Sequence, residues 1–179
     1  MKKFLFIIYF SLTIGQYYNV NLNETGEFQL VIFENTITSL EEGDEIGLFD
    51  ADGIIETCNP DDGCSEPTYG EVLVGAGFWT NSQLEISAIM SIDLSDFNGP
   101  VLNGAVIGNP VIIKIWKADQ ELEFNSLAYY SSGTGTYGDL LIAINELILA
   151  QSNNIVINEF FYRAASGTSV PDYVELVNY

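Results

Sequence analysis

The feature that most constrains this chain is its rhythm. Short runs of β-branched and aromatic residues alternate with a period of two, and each run ends at Gly, Asn, Asp or Pro. Phe28, Leu30 and Ile32 alternate with Gln29, Val31 and Phe33, giving one fully apolar face and one mostly apolar face. Glu71–Trp79 places Val72, Val74, Ala76 and Phe78 on one side, and Gln83–Met90 does the same with Leu84, Ile86, Ala88 and Met90. In Val111–Trp116, Val111, Ile113 and Ile115 face one way, and Glu121–Phe124 follows across an Asp119-Gln120 turn as a hairpin. Thr36–Leu40 and Glu45–Phe49 are further short candidates. Between the runs lie Glu41-Glu42-Gly43-Asp44, Asn59-Pro60-Asp61-Asp62-Gly63, Asn98-Gly99-Pro100 and Gly108-Asn109-Pro110. Strands of this length, separated by turn residues at these intervals, predict an all-β protein, an antiparallel β-sandwich over residues 16–150. Asp139–Ala150 fits helix or strand by its apolar spacing, and its β surroundings favour strand.

The first fifteen residues stand apart. Lys2 and Lys3 precede the apolar run Phe4–Ile14, and Thr13 and Gly15 are small enough for cleavage before Gln16. This is the composition of a secretory signal peptide over residues 1–15. No later segment reaches the roughly 18 apolar residues of a spanning helix, so the mature chain is expected to be exported without membrane insertion, secreted or at the cell surface. Removing Lys2 and Lys3 leaves three Lys/Arg against 25 Asp/Glu, and 3 − 25 gives a net charge of −22. Such a surface repels nucleic-acid phosphates and anionic membranes. Disorder is not implied, because 47% hydrophobic and 13% aromatic residues supply a core.

Cys58 and Cys64 are the only cysteines, and five intervening residues suit a small disulfide loop in an exported protein. Redox catalysis fits poorly with C-x5-C spacing and no nearby cation. Histidine is absent, which removes Ser-His-Asp and Cys-His systems and a Cys/His zinc site. With so many carboxylates, chance pairs carry no weight for glycosidase chemistry. The expectation is that the chain is not an enzyme.

Asp50-Ala51-Asp52-Gly53 admits two readings. Asp50 and Asp52, joined by Asp44, Asp61 and Asp62, form a candidate calcium set supplied from separate loops; the EF-hand spacing itself is incomplete. The other reading is an acidic turn in which Gly53 takes an unusual backbone angle. Trp79 and Trp116 are candidates for stacking on a ligand ring, or for plain core packing. Ser131-Ser132-Gly133-Thr134-Gly135-Thr136 reads as a flexible loop and lacks the Gly-Lys-Ser/Thr ending of a phosphate cradle.

Gln151–Asn154 reads as a linker, after which Ile155–Phe161 and Tyr173–Val177 form two further β-like runs. Ile157-Asn158-Glu159 and Asp172-Tyr173-Val174-Glu175-Leu176-Val177-Asn178 resemble the opening of a lamin-tail domain, an immunoglobulin-like sandwich. That resemblance implies that residues 155–179 are the incomplete start of such a domain. Gly43–Asp50, Gly70–Trp79 and Ile112–Lys117 resemble three segments of a β-module found in large exported bacterial proteins. What this implies is a non-catalytic structural, adhesion or spacer module, partnered by the remainder of its own chain or by a surface glycan or protein. The alternative is an accessory, sugar-binding domain of a secreted hydrolase.

Overall fold

The period-two runs become strands wherever an alternating face finds a neighbour to pack against. The computed structural model describes residues 15–151, 155–160 and 174–178; apart from Gly15, the signal-peptide segment lies outside them, as do linker residues 152–154. In chain order the strands are β1 (Phe28–Phe33), β2 (Glu45–Ile54), β3 (Tyr69–Phe78), β4 (Leu84–Ile89), β5 (Ile92–Asp93), β6 (Val101–Leu102), β7 (Ile112–Lys117), β8 (Leu122–Ser132), β9 (Ile142–Gln151), β10 (Ile155–Phe160) and β11 (Val174–Asn178). Seven of them form one sheet in the order β3-β2-β7-β8-β9-β1-β4. β10 and β11 pair antiparallel as a separate two-stranded sheet, as do β5 and β6.

The fold is all-β and sandwich-like, with one departure from a purely antiparallel sheet. β1 lies parallel to β9, with Val31 opposite Ile142 and Phe33 opposite Ile144. Every other pairing in the seven-stranded sheet is antiparallel. The sheet curls until its two edge strands, β3 and β4, face one another. Glycines make this approach possible: a Cβ on Gly75 would lie 3.0 Å from Ile86 Cγ2 and 3.2 Å from the Ser87 carbonyl oxygen. Inside the curl, Val31, Phe33, Ile46, Leu48, Val74, Ile115, Ile142 and Ile144 are fully buried.

One open choice is decided and two expectations need correction. β1 turns its Gln29-Val31-Phe33 face inward, leaving Phe28 and Leu30 exposed. Gln29 is tolerated inside because its amide donates to the Leu30 carbonyl at 3.1 Å and accepts from the Gly138 N–H at 3.0 Å. Thr36–Leu40 is a loop, in which Ile37 and Leu40 plug the end of the core. Phe78 faces outward, because β3 pairs with β2 through register shifts that break its alternation.

The registers define two ends. At the exit end, Glu45 sits opposite both Phe78 and Trp116, and Phe124 opposite Gln151, so the chain leaves the sheet there. At the opposite, loop end, Ile54 pairs with Tyr69, Phe28 with Ile89, and Ser132 with Ala143.

Candidate functional site

At the exit end the three resembling segments meet. Lys117 Nζ donates to Asp44 Oδ2 at 2.8 Å, and the pair is shielded, with side-chain exposures of 7% and 2%. The Glu41 N–H donates to the same oxygen at 2.8 Å. Trp79 joins through its backbone, its N–H on the Asp44 carbonyl at 2.8 Å and its carbonyl accepting from the Gly43 N–H at 2.9 Å. The indole is 1% exposed and belongs to the core cluster. It is therefore not a stacking surface for a ligand.

Asp50 is buried at 1% exposure, at an irregularity near the end of β2. Its carboxylate accepts from the Val106 N–H at 2.8 Å, from Asn109 Nδ2 at 3.0 and 3.1 Å, and from the Asp52 N–H at 3.0 Å. Asn109 Nδ2 also reaches the Asp52 carbonyl at 3.1 Å. Asp50 is thus an internal staple joining β2 to the segment before β7. The adjacent Tyr137 donates to the Phe49 carbonyl at 3.1 Å, and burial, then the charge of Asp50, pushes its phenol well above the usual tyrosine range. Gly53 does not have positive φ. It is required for space, since a Cβ there would lie 2.4 Å from Val72 Cγ1.

The candidate calcium set does not assemble. Asp44 is engaged by Lys117 and Asp50 by amides, while Asp52 is exposed. Asp61 and Asp62 sit on the surface in the loop closed by the Cys58–Cys64 disulfide, whose Cα atoms are 5.3 Å apart. Asn59 organises that loop by accepting from the Asp61 N–H and donating to Asp62. Among the described residues, no three His, Cys, Asp or Glu side chains gather as metal ligands.

Trp116 lies on the outer face of the sheet, half-buried under the N-terminal strap. Tyr17 stacks on it with ring centroids 3.8 Å apart and planes 7° from parallel. Glu45, 2% exposed, bolts the strap by accepting from the Tyr17 N–H at 2.9 Å and the Tyr18 N–H at 3.0 Å. The Tyr18 hydroxyl donates to Glu123 Oε2 at 3.0 Å, and burial, reinforced by Glu123, pushes that phenol far up. Lys114 completes the surface, 4.4 Å from the Phe49 ring centre and 2.7 Å from Glu71.

The loop end carries what the sequence did not single out. Two adjacent hollows of about 350 and 410 Å³ share Ser91. Phe28, Ile107 and Leu140 line the first; Tyr69, Asp93 and Val101 help line the second. Ile107 is 75% and Leu140 102% exposed, and the nearby Phe97 is 83% exposed. The available signal was apolar residues inside turn clusters, beside Gly108-Asn109 and Gly138-Asp139. The Ser/Gly/Thr loop here is pinned. Asp139 Oδ2 accepts from the N–H groups of Thr134, Gly135 and Thr136 at 2.6, 3.1 and 3.3 Å, which holds its carboxyl below the usual range. The concave run of backbone N–H groups is filled by the chain's own carboxylate.

No family model, curated protein or solved structure matches this chain.

Proposed function

We propose that residues 16–151 are a non-catalytic module of a larger exported protein, held by its exit end and presenting its loop end to a surface glycan or protein. One observation carries this reading: the three most exposed large apolar side chains among the described residues, Leu140, Phe97 and Ile107, lie at the end opposite the point where the chain leaves the sheet. The residues of the three resembling segments spend their polar atoms on internal staples, which suits a stiff carrier for those loops. The strap at Tyr17 and the last residue of β9, Gln151, both lie at the exit end. This favours a pendant adhesion unit over an in-line spacer. On the same reading, residues 155–179 open a lamin-tail-like domain.

Placing Ile107→Asp and Leu140→Asp together on the native protein tests this. Both side chains are exposed, so the melting temperature should hold while retention on the producing cells' surface polymers falls. Unchanged retention would sink the loop-end reading.

The hollows support the accessory reading, since their volumes lie in the range of small-ligand pockets. Soluble oligosaccharides at millimolar concentration should then protect Ser91 and Ile107 amides from hydrogen exchange. No protection would remove the sugar-binding alternative.

A further inference from the structure

The strap over Trp116 begins where the expected cleavage point ends. Tyr17 and Tyr18 supply the amides that satisfy the buried Glu45 carboxylate, and Tyr17 supplies the ring stacked on Trp116. A cut after Tyr17 would remove that ring, uncover Trp116 and take the Tyr17 N–H away from Glu45. A cut before Gln16 preserves every one of these contacts. Gln16 is exposed, and its carboxamide nitrogen donates to the Tyr18 carbonyl at 2.7 Å.

We propose that the mature chain begins at Gln16 and that this residue closes to pyroglutamate, sealing the strap over Trp116. The inference rests on the export reading. An N-terminal glutamine holds its α-amine within five-membered-ring reach of its own Cδ. The nitrogen lone pair adds to Cδ, the new N–Cδ bond forms, and the Cδ–Nε2 bond breaks. Nε2 leaves as ammonia, carrying the proton the amine gives up, with no oxidant or co-reactant. The ring consumes only Gln16's own atoms, so the Tyr17 and Tyr18 N–H groups still hold Glu45. The hydrogen bond from Nε2 to Tyr18 is the described contact that is lost. The gain is an uncharged terminus without the amine that aminopeptidases require.

The test is tandem mass spectrometry of the N-terminal peptide of the full-length protein from culture medium. The expected peptide starts at residue 16 and is lighter than its sequence by one ammonia. An unmodified Gln16 terminus would overturn cyclisation and leave export standing. A chain that keeps Met1 would overturn the export reading itself, and a start at another residue would overturn the cut. The Gln16→Ala variant separates sealing from mere capping. Aminopeptidase should trim it through Tyr17 and increase acrylamide quenching of Trp116, while the native protein resists. Equal resistance, or equal trimming, of the two would overturn the sealing role.

Discussion

The cost of deleting a buried carboxylate is set by the donors it leaves unpaired. At Asp50 these are the Val106 amide, the Asn109 carboxamide and the Asp52 amide. Asp50→Ala should lower unfolding stability by about 3 kcal/mol, read from the urea midpoint. Asp52→Ala should move it by less than about 0.5 kcal/mol, because that side chain is exposed. A drop of similar size in both variants would mean that the two act as one site. Lys117 and Asp44 pose the same question with two charges. Lys117→Met alone strands a carboxylate and should cost about 3–5 kcal/mol, whereas adding Asp44→Leu should restore most of that loss. A double variant no better than the single one would show that Asp44 matters through its Glu41 contact instead.

At the scale of elements, the pinned 133–139 loop gives a pH dependence with a definite sign. Asp139 has a depressed folded-state pKa, caused first by the Thr134 amide. Its contribution is therefore present above the ordinary aspartate value of about 3.9 and is lost as pH falls through the lower folded value. Hydrogen exchange at Thr134–Thr136 should speed up in that acidic window, and Asp139→Asn should show the faster exchange already at neutral pH. Closure of the curl gives a second test. Gly75→Val would push β3 off the β4 backbone, at an expected cost of about 1–3 kcal/mol by thermal melt. The strands themselves were legible, because Ile86 and Ala88 alternate with the exposed Glu85 and Ser87, and Ile113 and Ile115 with the less buried Ile112, Lys114 and Trp116. The inward face of β1 was not, since Leu30 and Ile32 are as apolar as Val31 and Phe33 and only the pairing with β4 and β9 decides. The small Cys58–Cys64 loop could be read from local spacing. Asp50 could not, because its partners Val106 and Asn109 lie 56 and 59 residues away.

For the molecule as a whole, charge is the dominant unbalanced term. The formal net charge is −20, and among the described residues Lys114 and Lys117 are both engaged in ion pairs. Among the described residues, Asp61, Asp62, Asp93 and Asp96 are exposed at the loop end. Self-repulsion of this kind opposes the compact state and acts over a distance set by salt. The Debye length shrinks from about 30 Å at 0.01 M to about 3 Å at 1 M. The melting temperature of the full chain should therefore rise with sodium chloride and level off once the surface charges no longer sense one another. The buried Asp44–Lys117 pair is shielded from solvent ions, so salt should weaken it little. Lys114→Gln, which removes a partly exposed cation, should steepen the rise, while Lys117→Met should lower the whole curve more than it changes the slope. A melting temperature that falls with salt would mean that attractive surface pairs outweigh the carboxylate repulsion. The acidic surface would then be a stabilising network rather than a load that the staples at Asp44 and Asp50 must hold against.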